Sequence, residues 1–197
     1  MTAIPTFRDP VHDAQRTFRC ALEAVARPAT WWTLPDVPEP LPGLSPAATA
    51  LALALLDQEI AVWLGPTARD AAAPLRFACG AGVAATPQQA DFAFVAAGEL
   101  ESLAVFAHGS EVAPESGATV VVQVSGHTGE TGFLCSGPGL ASPVPLCCDG
   151  LPPAVADERP QWRDDTSCGV DLFLVVDRSL AALPRSVRLQ EGPCTQP

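Results

Sequence analysis

The stretch "CGVDLFLVVD" (residues 168–177) is the most strand-like part of the chain. After Asp171 it runs through five consecutive apolar residues, most of them β-branched or aromatic or leucine. The stretch "GATVVVQVSG" (residues 117–126) has the same character. Strands that are apolar on both faces usually lie in a sheet with helices on both sides. These two stretches therefore predict an α/β fold with a mixed β-sheet flanked by helices on both faces.

Two helices are predicted ahead of these strands. Asp9 can cap a helix that begins at Pro10, and Pro28 ends it. Apolar residues recur along this helix with the helical period and form one stripe: Ala14, Phe18, Ala21, Leu22 and Val25. A second helix begins after Ser45 and runs to about Leu56; because it is apolar all round, we expect it to be buried.

The remaining elements are shorter. "IAVWL" (60–64) and "DFAFVA" (91–96) predict strands, and "ELESLAVFAHG" (99–109) predicts a helix that Gly109 stops. The glycines of "HTGETG" (127–132) lie between two predicted strands rather than before a helix, which favours a turn over a dinucleotide site. The sequence thus predicts a hairpin that pairs "GFLCSG" (132–137) with the strand at 117–126.

The composition of the chain sets limits on its chemistry. A chain of 197 residues predicts a single domain over 1–197, with a proline-rich loop at 35–45 and a flexible tail at 190–197. All 11 basic residues are arginine, so the chain cannot form a Schiff base with pyridoxal phosphate or supply a P-loop lysine. The net charge of −11 argues against nucleic acid as a partner.

Location and metal binding are predicted from absences. The N-terminal residues contain no apolar run typical of a signal peptide, and the longest apolar stretch, at 46–56, is too short to span a bilayer. We therefore expect a cytoplasmic protein with no membrane association, whose seven cysteines are reduced thiols. The three histidines have no ligand partners at the usual spacings, so no metal site is expected.

Four polar residues stand in places where the pattern predicts burial. Asp171 lies two residues into an apolar strand, Glu115 precedes another, and Arg185 follows "ALP" near the end of the chain. On the first helix, Arg19 is four residues from Glu23, a spacing that permits an ion pair. From physical chemistry alone, a solvated or structural role is favoured for each.

Several segments together resemble one protein family. They are "PVHDAQRTFRCALEAVARPAT", "LLDQEIAVWL", "HGSEVAPESGATVVVQV", "SGPGL" and "CGVDLFLVVDRSLAALPRSVRL", and they occur in the order found in the PhnH family. The resemblance covers roughly residues 5–190. Two departures are visible: the glycine usual after "RP" is Ala29 here, and the usual threonine pair after "PR" is Ser186–Val187.

The resemblance implies a role in phosphonate breakdown. PhnH is a subunit of the bacterial carbon–phosphorus lyase core complex, with PhnG, PhnI and PhnJ. With PhnG and PhnI it is needed to displace adenine from ATP by an alkylphosphonate, which gives ribose 1-alkylphosphonate 5-triphosphate. The resemblance also implies a fold like the large domain of pyridoxal-phosphate-dependent transferases without the cofactor, and a homodimer when the subunit is isolated.

The resemblance adds weight to the first helix as a site. Asp13, Gln15 and Arg19 fall on signature positions of the family, whereas Arg16 does not. Together with Glu115, Asp171 and Arg185 they are the candidate residues for a pocket that holds phosphonate or the phosphates of ATP, because arginine binds phosphate through two parallel hydrogen bonds. The same signature can equally mark an interface or an internal scaffold, and no catalytic residue is predicted.

Overall fold

The structure is a computed structural model, and it describes residues 6–129, 131–159 and 168–193. Two sheets form its framework. The main sheet has seven strands in the order β1-β9-β8-β5-β4-β2-β3, and the small sheet has three in the order β10-β6-β7. The main-sheet strands are β1 (Trp32–Thr33), β2 (Ala61–Leu64), β3 (Gly82–Val83), β4 (Phe92–Ala96), β5 (Thr119–Gln123), β8 (Asp171–Val176) and β9 (Ser179–Leu183). The small-sheet strands are β6 (Thr131–Ser136), β7 (Val144–Cys147) and β10 (Arg188–Pro193).

The described helices are short apart from the first. They are α1 (Pro10–Ala26), α2 (Pro46–Leu55), α3 (Ala72–Cys79) and α4 (Ala154–Glu158). The predicted starts of α1 and α2 are confirmed: Asp9 accepts a hydrogen bond from the amide of His12, and Ser45 accepts one from Ala48. Five short stretches of 3-10 helix lie in the described connections: Pro66–Ala71, Pro87–Gln89, Ala97–Glu99, Leu103–Val105 and Pro114–Ser116.

The predicted mixed sheet is confirmed. Strands β3, β2, β4, β5 and β8 run parallel, whereas β9 pairs antiparallel with both β8 and β1. Strand β8 turns directly into β9 through Asp177, whose φ of 48° lies in the left-handed region that Asp tolerates at such turns. The two strands that are apolar on both faces, β5 and β8, lie side by side at the centre.

The main sheet is covered by different layers on its two faces. Phe94, Val121 and Phe173 point into a core that also contains buried residues of α1, α2 and α3. The alternate residues of the same strands, such as Val95 and Val122, point into a second core. This second core is closed by α4 and by buried side chains of the small sheet, which include those of Phe133 and Leu146. The expectation of helices on both faces is therefore met only in part, because on the second face the short helix α4 shares the covering layer with the small sheet and with residues of segment 97–106.

The predicted hairpin between β5 and β6 does not form. Strand β5 pairs with β4 and β8, whereas β6 leaves the main sheet and pairs with β7 and β10. Turn chemistry at 127–132 is compatible with either route, and the pairing is decided by the parallel register of β5 with β8. That register aligns Val121 with Phe173 in one core and Val122 with Leu174 in the other.

The predicted helix at 99–109 is also wrong. The segment has only two short 3-10 turns, Ala97–Glu99 and Leu103–Val105. Leu100, Leu103 and Phe106 all reach the second core from this irregular path. Tertiary packing therefore overrides the helical propensity of the segment.

The predicted proline-rich loop at 35–45 and the predicted flexible tail at 190–197 agree with the structure only in part. The proline-rich segment 35–45 lacks regular structure, yet Leu41 and Leu44 are buried in the helical core. Residues 190–193 of the expected tail belong to β10, and 194–197 lie outside the described residues. Ala29 adopts φ 58°, a left-handed conformation that glycine takes at lower cost, at the position where the family usually has glycine.

A pair of leucines tests the position of the second core. Leu174→Ala in β8 should lower the free energy of unfolding by about 2–5 kcal/mol, because the fully buried side chain leaves a cavity. Leu134→Ala in β6, where the leucine is 40% exposed, should cost about 1 kcal/mol or less. Urea denaturation followed by circular dichroism measures both, and similar losses for the two variants would contradict the core described here.

Candidate functional site

The carboxylate of Asp13 is buried and is bonded to groups at the start of α1. It is 4% exposed, accepts a hydrogen bond from the amide of Asp9 at 2.9 Å, and pairs with Arg16 at 2.5 Å. Arg16 also reaches Asp36 at 2.9 Å. Both oxygens of the Asp13 carboxylate are therefore used within the chain, to join α1 to the proline-rich segment. Arg16, which lies outside the family signature, supplies this link.

Gln15 and Arg19 lie on the exposed side of α1. Arg19 is two residues from Thr17, which faces the core at 1% exposure, and at about 100° per residue it points away from the sheet. The expected ion pair with Glu23 is not formed in the described part of the chain; Glu23 instead lies 3.4 Å from Arg27. None of the cavities described over residues 6–129, 131–159 and 168–193 is lined by Gln15 or Arg19 together with Asp171 or Arg185.

Asp171 and Arg185 form an ion pair at the amino end of β8. The Arg185 side chain donates from Nε at 3.1 Å and from Nη2 at 2.6 Å to one oxygen of Asp171. The amide of Arg185 donates to the other carboxylate oxygen at 2.7 Å. A carboxylate within an apolar strand is expected to be buried and hydrogen-bonded. The hydrogen bonds are present, but the burial is partial, since the Asp171 side chain is 31% exposed.

Arg185 also fixes the loop before β5. Its Nη1 donates to the carbonyl of Pro114 at 2.5 Å, and a Cβ at Gly117 would lie only 2.7 Å from Nη1. Glycine at position 117 therefore makes room for the guanidinium. Glu115, next in sequence to Pro114, is exposed. All three side-chain nitrogens of Arg185 are used to join β8, β9 and this loop.

The six candidate residues fall into two groups at different parts of the fold. Arg16 ties Asp13 to Asp36, and nearby Leu34 donates to the carbonyl of Arg178 in the turn between β8 and β9. Asp171 lies at the opposite end of β8, five residues or about 17 Å away along the strand. Arg19 and Arg185 therefore do not converge on one concave site.

A further carboxylate, Glu99, occupies the place where parallel sheets commonly bind ligands. Strands β2 and β4 are adjacent and parallel, but the connection after β2 packs in the helical core and the connection after β4 packs in the second core. Such a point, at the carboxyl ends of the strands, opens a crevice. Here Glu99 enters the crevice and accepts hydrogen bonds from the amide and hydroxyl of Thr67 at 2.7 and 2.5 Å, and from the amide of Ala96 at 3.2 Å.

The environment of Glu99 favours its charged form. Burial alone would raise the pKa of Glu99, but the hydrogen bonds from Thr67 and Ala96 outweigh burial and hold the pKa below its usual value. Gly65 permits the arrangement, since a Cβ there would lie 2.6 Å from a Glu99 oxygen. The sequence analysis missed this residue, because nothing local in "GELE" signals a partner 32 residues away.

One described cavity lies on the small sheet. It has a volume of about 420 Å³ and is lined by residues that include Phe133, Cys148, Leu151 and Glu191, but by none of the six candidates. Burial raises the pKa of Cys148 to about 12, so its thiol is not a nucleophile at neutral pH. None of the described side chains that line this cavity is a cation that could bind a phosphate.

Most cysteines among the described residues are free thiols. Five cysteines are free thiols there, Cys20, Cys79, Cys135, Cys148 and Cys168. Cys147 is disulfide-bonded, so the expectation of reduced thiols is wrong for this residue; the expectation rested on spacing, and the adjacent Cys148 is not its partner. Over the same residues, no group of three or more metal-ligating side chains is found. No described helix is long and apolar enough to cross a membrane.

Comparisons with known proteins place these features in context. A family model described as "Bacterial phosphonate metabolism protein (PhnH)" matches residues 5–190. A Rhizobium meliloti protein named alpha-D-ribose 1-methylphosphonate 5-triphosphate synthase subunit PhnH is 33% identical over 187 residues, which are 93% of this chain and 94% of the relative. A Stutzerimonas stutzeri protein named putative C-P lyase subunit protein HtxG is 36% identical over 81 residues, 41% of this chain and 42% of the relative.

Removal of the Asp171 carboxylate should destabilise the protein. Asp171→Ala leaves the partly buried Arg185 without its partner, and we expect a loss of about 1–3 kcal/mol in the free energy of unfolding. Glu23→Ala is the matched control, because it removes an exposed carboxylate from an ion pair and should cost less than about 0.5 kcal/mol. Equal unfolding midpoints for wild type and Asp171→Ala would contradict a structural role.

The contribution of Glu99 should depend on pH. A carboxylate whose pKa is lowered on folding adds stability above its unfolded pKa and loses it as the pH falls through the folded value. Glu99→Gln should therefore lower the melting temperature at pH 7, and the difference from wild type should shrink below about pH 4. Glu101→Gln, at an exposed neighbouring position, is the control. A difference for Glu99→Gln that stays constant from neutral to acidic pH would count against this role.

Proposed function

The chain belongs to the PhnH family of bacterial phosphonate metabolism proteins, and from this premise we propose that it is a subunit of the carbon–phosphorus lyase core complex. In that role it acts with PhnG and PhnI in the formation of ribose 1-alkylphosphonate 5-triphosphate from ATP and an alkylphosphonate. PhnJ completes the proposed set of partners. The observation that carries the proposal is the similarity over 93% of the chain to a relative that is named as a subunit of this synthase.

The geometry supports a non-catalytic role within that complex. Asp13, Asp171 and Arg185 are engaged with other parts of the chain and hold its segments together. A phosphate-binding pocket would require arginine nitrogens that point into a shared cavity. The side-chain nitrogens of Arg185 instead donate hydrogen bonds to Asp171 and to the carbonyl of Pro114. The crevice between β2 and β4 contains the carboxylate of Glu99, which repels a phosphate.

The further parts of the proposal concern cofactor, assembly and location. We propose that the chain binds no pyridoxal phosphate, because it lacks lysine, even if its fold resembles the large domain of transferases that use that cofactor. ATP enters as the magnesium complex bound by the assembled subunits. We also propose that the isolated chain forms a homodimer and that the protein works in the cytoplasm.

Adenine release tests the proposal directly. The purified chain alone should release no adenine from ATP in the presence of an alkylphosphonate, and PhnG with PhnI should release it only when the chain is added. Chromatography of the reaction mixture measures the product. Steady release by the chain alone, or full activity of PhnG and PhnI without it, would refute the subunit role.

Three single variants separate a scaffold from a ligand pocket. If the scaffold role holds, Asp13→Ala, Arg19→Ala and Arg185→Ala should each leave adenine release by the assembled proteins within a few-fold of wild type, provided that circular dichroism shows a folded variant. A side chain that stabilises charge on the reacting phosphates would cost about 100-fold or more. A loss of that size in a folded variant would favour the alternative, a subunit whose arginine and carboxylate side chains bind phosphonate or ATP.

A further inference from the structure

Strand β3 forms an open edge of the main sheet. It pairs on one side with β2, and over the described residues no strand pairs with its other side. Both of its residues are exposed, and Val83 is 40% exposed. We call this outer side of Gly82–Val83 the β3 edge. An open edge presents backbone N–H and C=O groups to which a further strand can bond.

The hydrogen bonds of β3 show which of its backbone groups face outward. The amide of Gly82 donates to the carbonyl of Ile60 at 3.0 Å, and the amide of Ala84 donates to the carbonyl of Val62 at 2.9 Å. Both amides therefore point toward β2. Because the backbone groups of successive residues in a strand point to opposite sides, the N–H and C=O of Val83 point away from β2. The β3 edge thus offers one donor and one acceptor to a partner backbone.

The β3 edge lacks most of the features that protect open strands. Natural edges are protected by charged side chains, by proline, by a covering element or by short length. Residues 77–90 contain no charged residue, and the one proline among them, Pro87, comes after the strand. Only short length applies, because β3 has two residues. A partner strand therefore needs a further contact beside the two residues of β3.

A cavity next to the β3 edge can supply that contact. It has a volume of about 290 Å³ and lies between the ends of β2 and β3 and the start of α3. Its described lining residues are mostly apolar, and they are Trp63, Leu64, Arg69, Ala72, Val83, Ala84 and Ala85. Because Val83 belongs both to the edge and to the lining, a side chain of an added strand on the same face as Val83 lies beside this cavity.

Arg69 gives this cavity a positive charge. Its side chain is exposed, and over the described residues it forms no ion pair. Glu99 is near enough to interact with this charge, but its carboxylate is bonded to Thr67 and Ala96 and lines a different cavity. A carboxylate on a partner can therefore bind Arg69, whereas a cationic side chain would be repelled.

These features favour a segment of another chain over a second copy of this one. A second copy that paired through the same edge would bring residues 77–90, which contain no carboxylate for Arg69. The net charge of −11 also opposes the approach of two identical chains. A small anion could bind Arg69, but it would not match both the donor and the acceptor of Val83, as an extended polypeptide does.

We propose that the β3 edge binds an extended segment of another subunit, which adds a strand to the main sheet and places an acidic side chain in the cavity beside Arg69. The inference rests on the subunit role proposed above and names one surface through which the chain joins its partners. In this mode of recognition the backbone hydrogen bonds give affinity, and the side-chain pocket gives specificity.

Hydrogen exchange of the Val83 amide tests the addition of a strand. The chain alone and the chain assembled with PhnG, PhnI and PhnJ are labelled in deuterated buffer and compared through overlapping peptides over residues 80–86. The Val83 amide should exchange at least about tenfold more slowly in the assembly, because it gains a hydrogen bond there. The amides of Gly82 and Ala84 are the internal control, since they are already bonded to β2 in the free chain. Equal exchange of Val83 in the two states would overturn the proposal.

A proline at position 83 tests the same edge by binding. Val83→Pro removes the outward N–H and leaves the amides of Gly82 and Ala84 free to bond to β2. It should raise the dissociation constant for the other subunits at least about tenfold, measured by biolayer interferometry. Val83→Ala keeps the N–H and is the matched control. Val83→Glu, which places a negative charge at the edge, repeats the test should circular dichroism show that Val83→Pro does not fold.

A pair of arginine variants tests the acidic side chain. Arg69→Gln should raise the same dissociation constant by about threefold or more, and the difference from wild type should shrink in about 1 M salt. Arg76→Gln is the matched control, because Arg76 is exposed on α3 and does not line the cavity. Equal binding by the two variants would overturn the contact with Arg69.

The outcomes separate this inference from the proposed function. A wild-type chain that binds none of PhnG, PhnI and PhnJ overturns the subunit role and this occupant together. Assembly that survives Val83→Pro in a folded variant overturns the β3 edge alone. Protection of the Val83 amide that rises with the concentration of the isolated chain would make a second copy the occupant. Weaker binding by Arg69→Gln without protection of Val83 would indicate an anion or a side chain at Arg69 and overturn strand addition.

Discussion

The structure depends on the burial of β5 and β8 on both of their faces. Their register aligns Val121 with Phe173 on one side and Val122 with Leu174 on the other, so neither face can be left in water. Each face then needs its own cover. The chain before β5 supplies α1, α2 and α3 for one face. The other face is covered by the small sheet, whose strands β6 and β7 lie between β5 and β8 and whose strand β10 follows β9. The excursion of β6 and β7 away from the main sheet is a consequence of this requirement.

Several polar side chains of the described residues hold the covering layers to the strand ends. Gln123, at the end of β5, accepts from the amide of Ser45 and donates to the carbonyl of Gly43, and thereby fixes the start of α2. Arg185 joins β8 to the loop before β5, and Glu99 joins the end of β4 to the turn after β2. Each of these side chains makes a hydrogen bond to a backbone N–H or C=O group in a loop, which would otherwise lack a partner within the chain. The charged side chains Arg185 and Glu99 thus hold layers of the fold together. This is consistent with the structural role proposed for the subunit.

Local signals in the sequence predict the elements better than the pairings. The caps of α1 and α2 and the strands at 61–64, 92–96, 119–123 and 171–176 follow from periodicity and from residues within a turn of each boundary. The partner of β6 does not, because its choice between β5 and β10 is decided by contacts more than 50 residues apart. The helix predicted at 99–109 is wrong for a related reason: its leucines and phenylalanine match a helical period, yet they reach the core from an irregular path.

The candidate site shows the same limit in its chemistry. Asp171 stood out as a carboxylate in an apolar strand, and its need for a hydrogen-bonding partner was predictable. The identity of the partner, Arg185, was not predictable. Arg185 reaches Asp171 only because the β8–β9 hairpin returns the chain to the amino end of β8, and this makes the pair structural. The direction of the α1 stripe was not predictable either, since a helix with apolar residues on more than one side leaves open which side meets the core. Small residues decided it: Thr17, Ala21 and Ala24 permit close approach to α2 and β9, and the larger Phe18 and Leu22 are thereby left on the surface, where they are available to a partner.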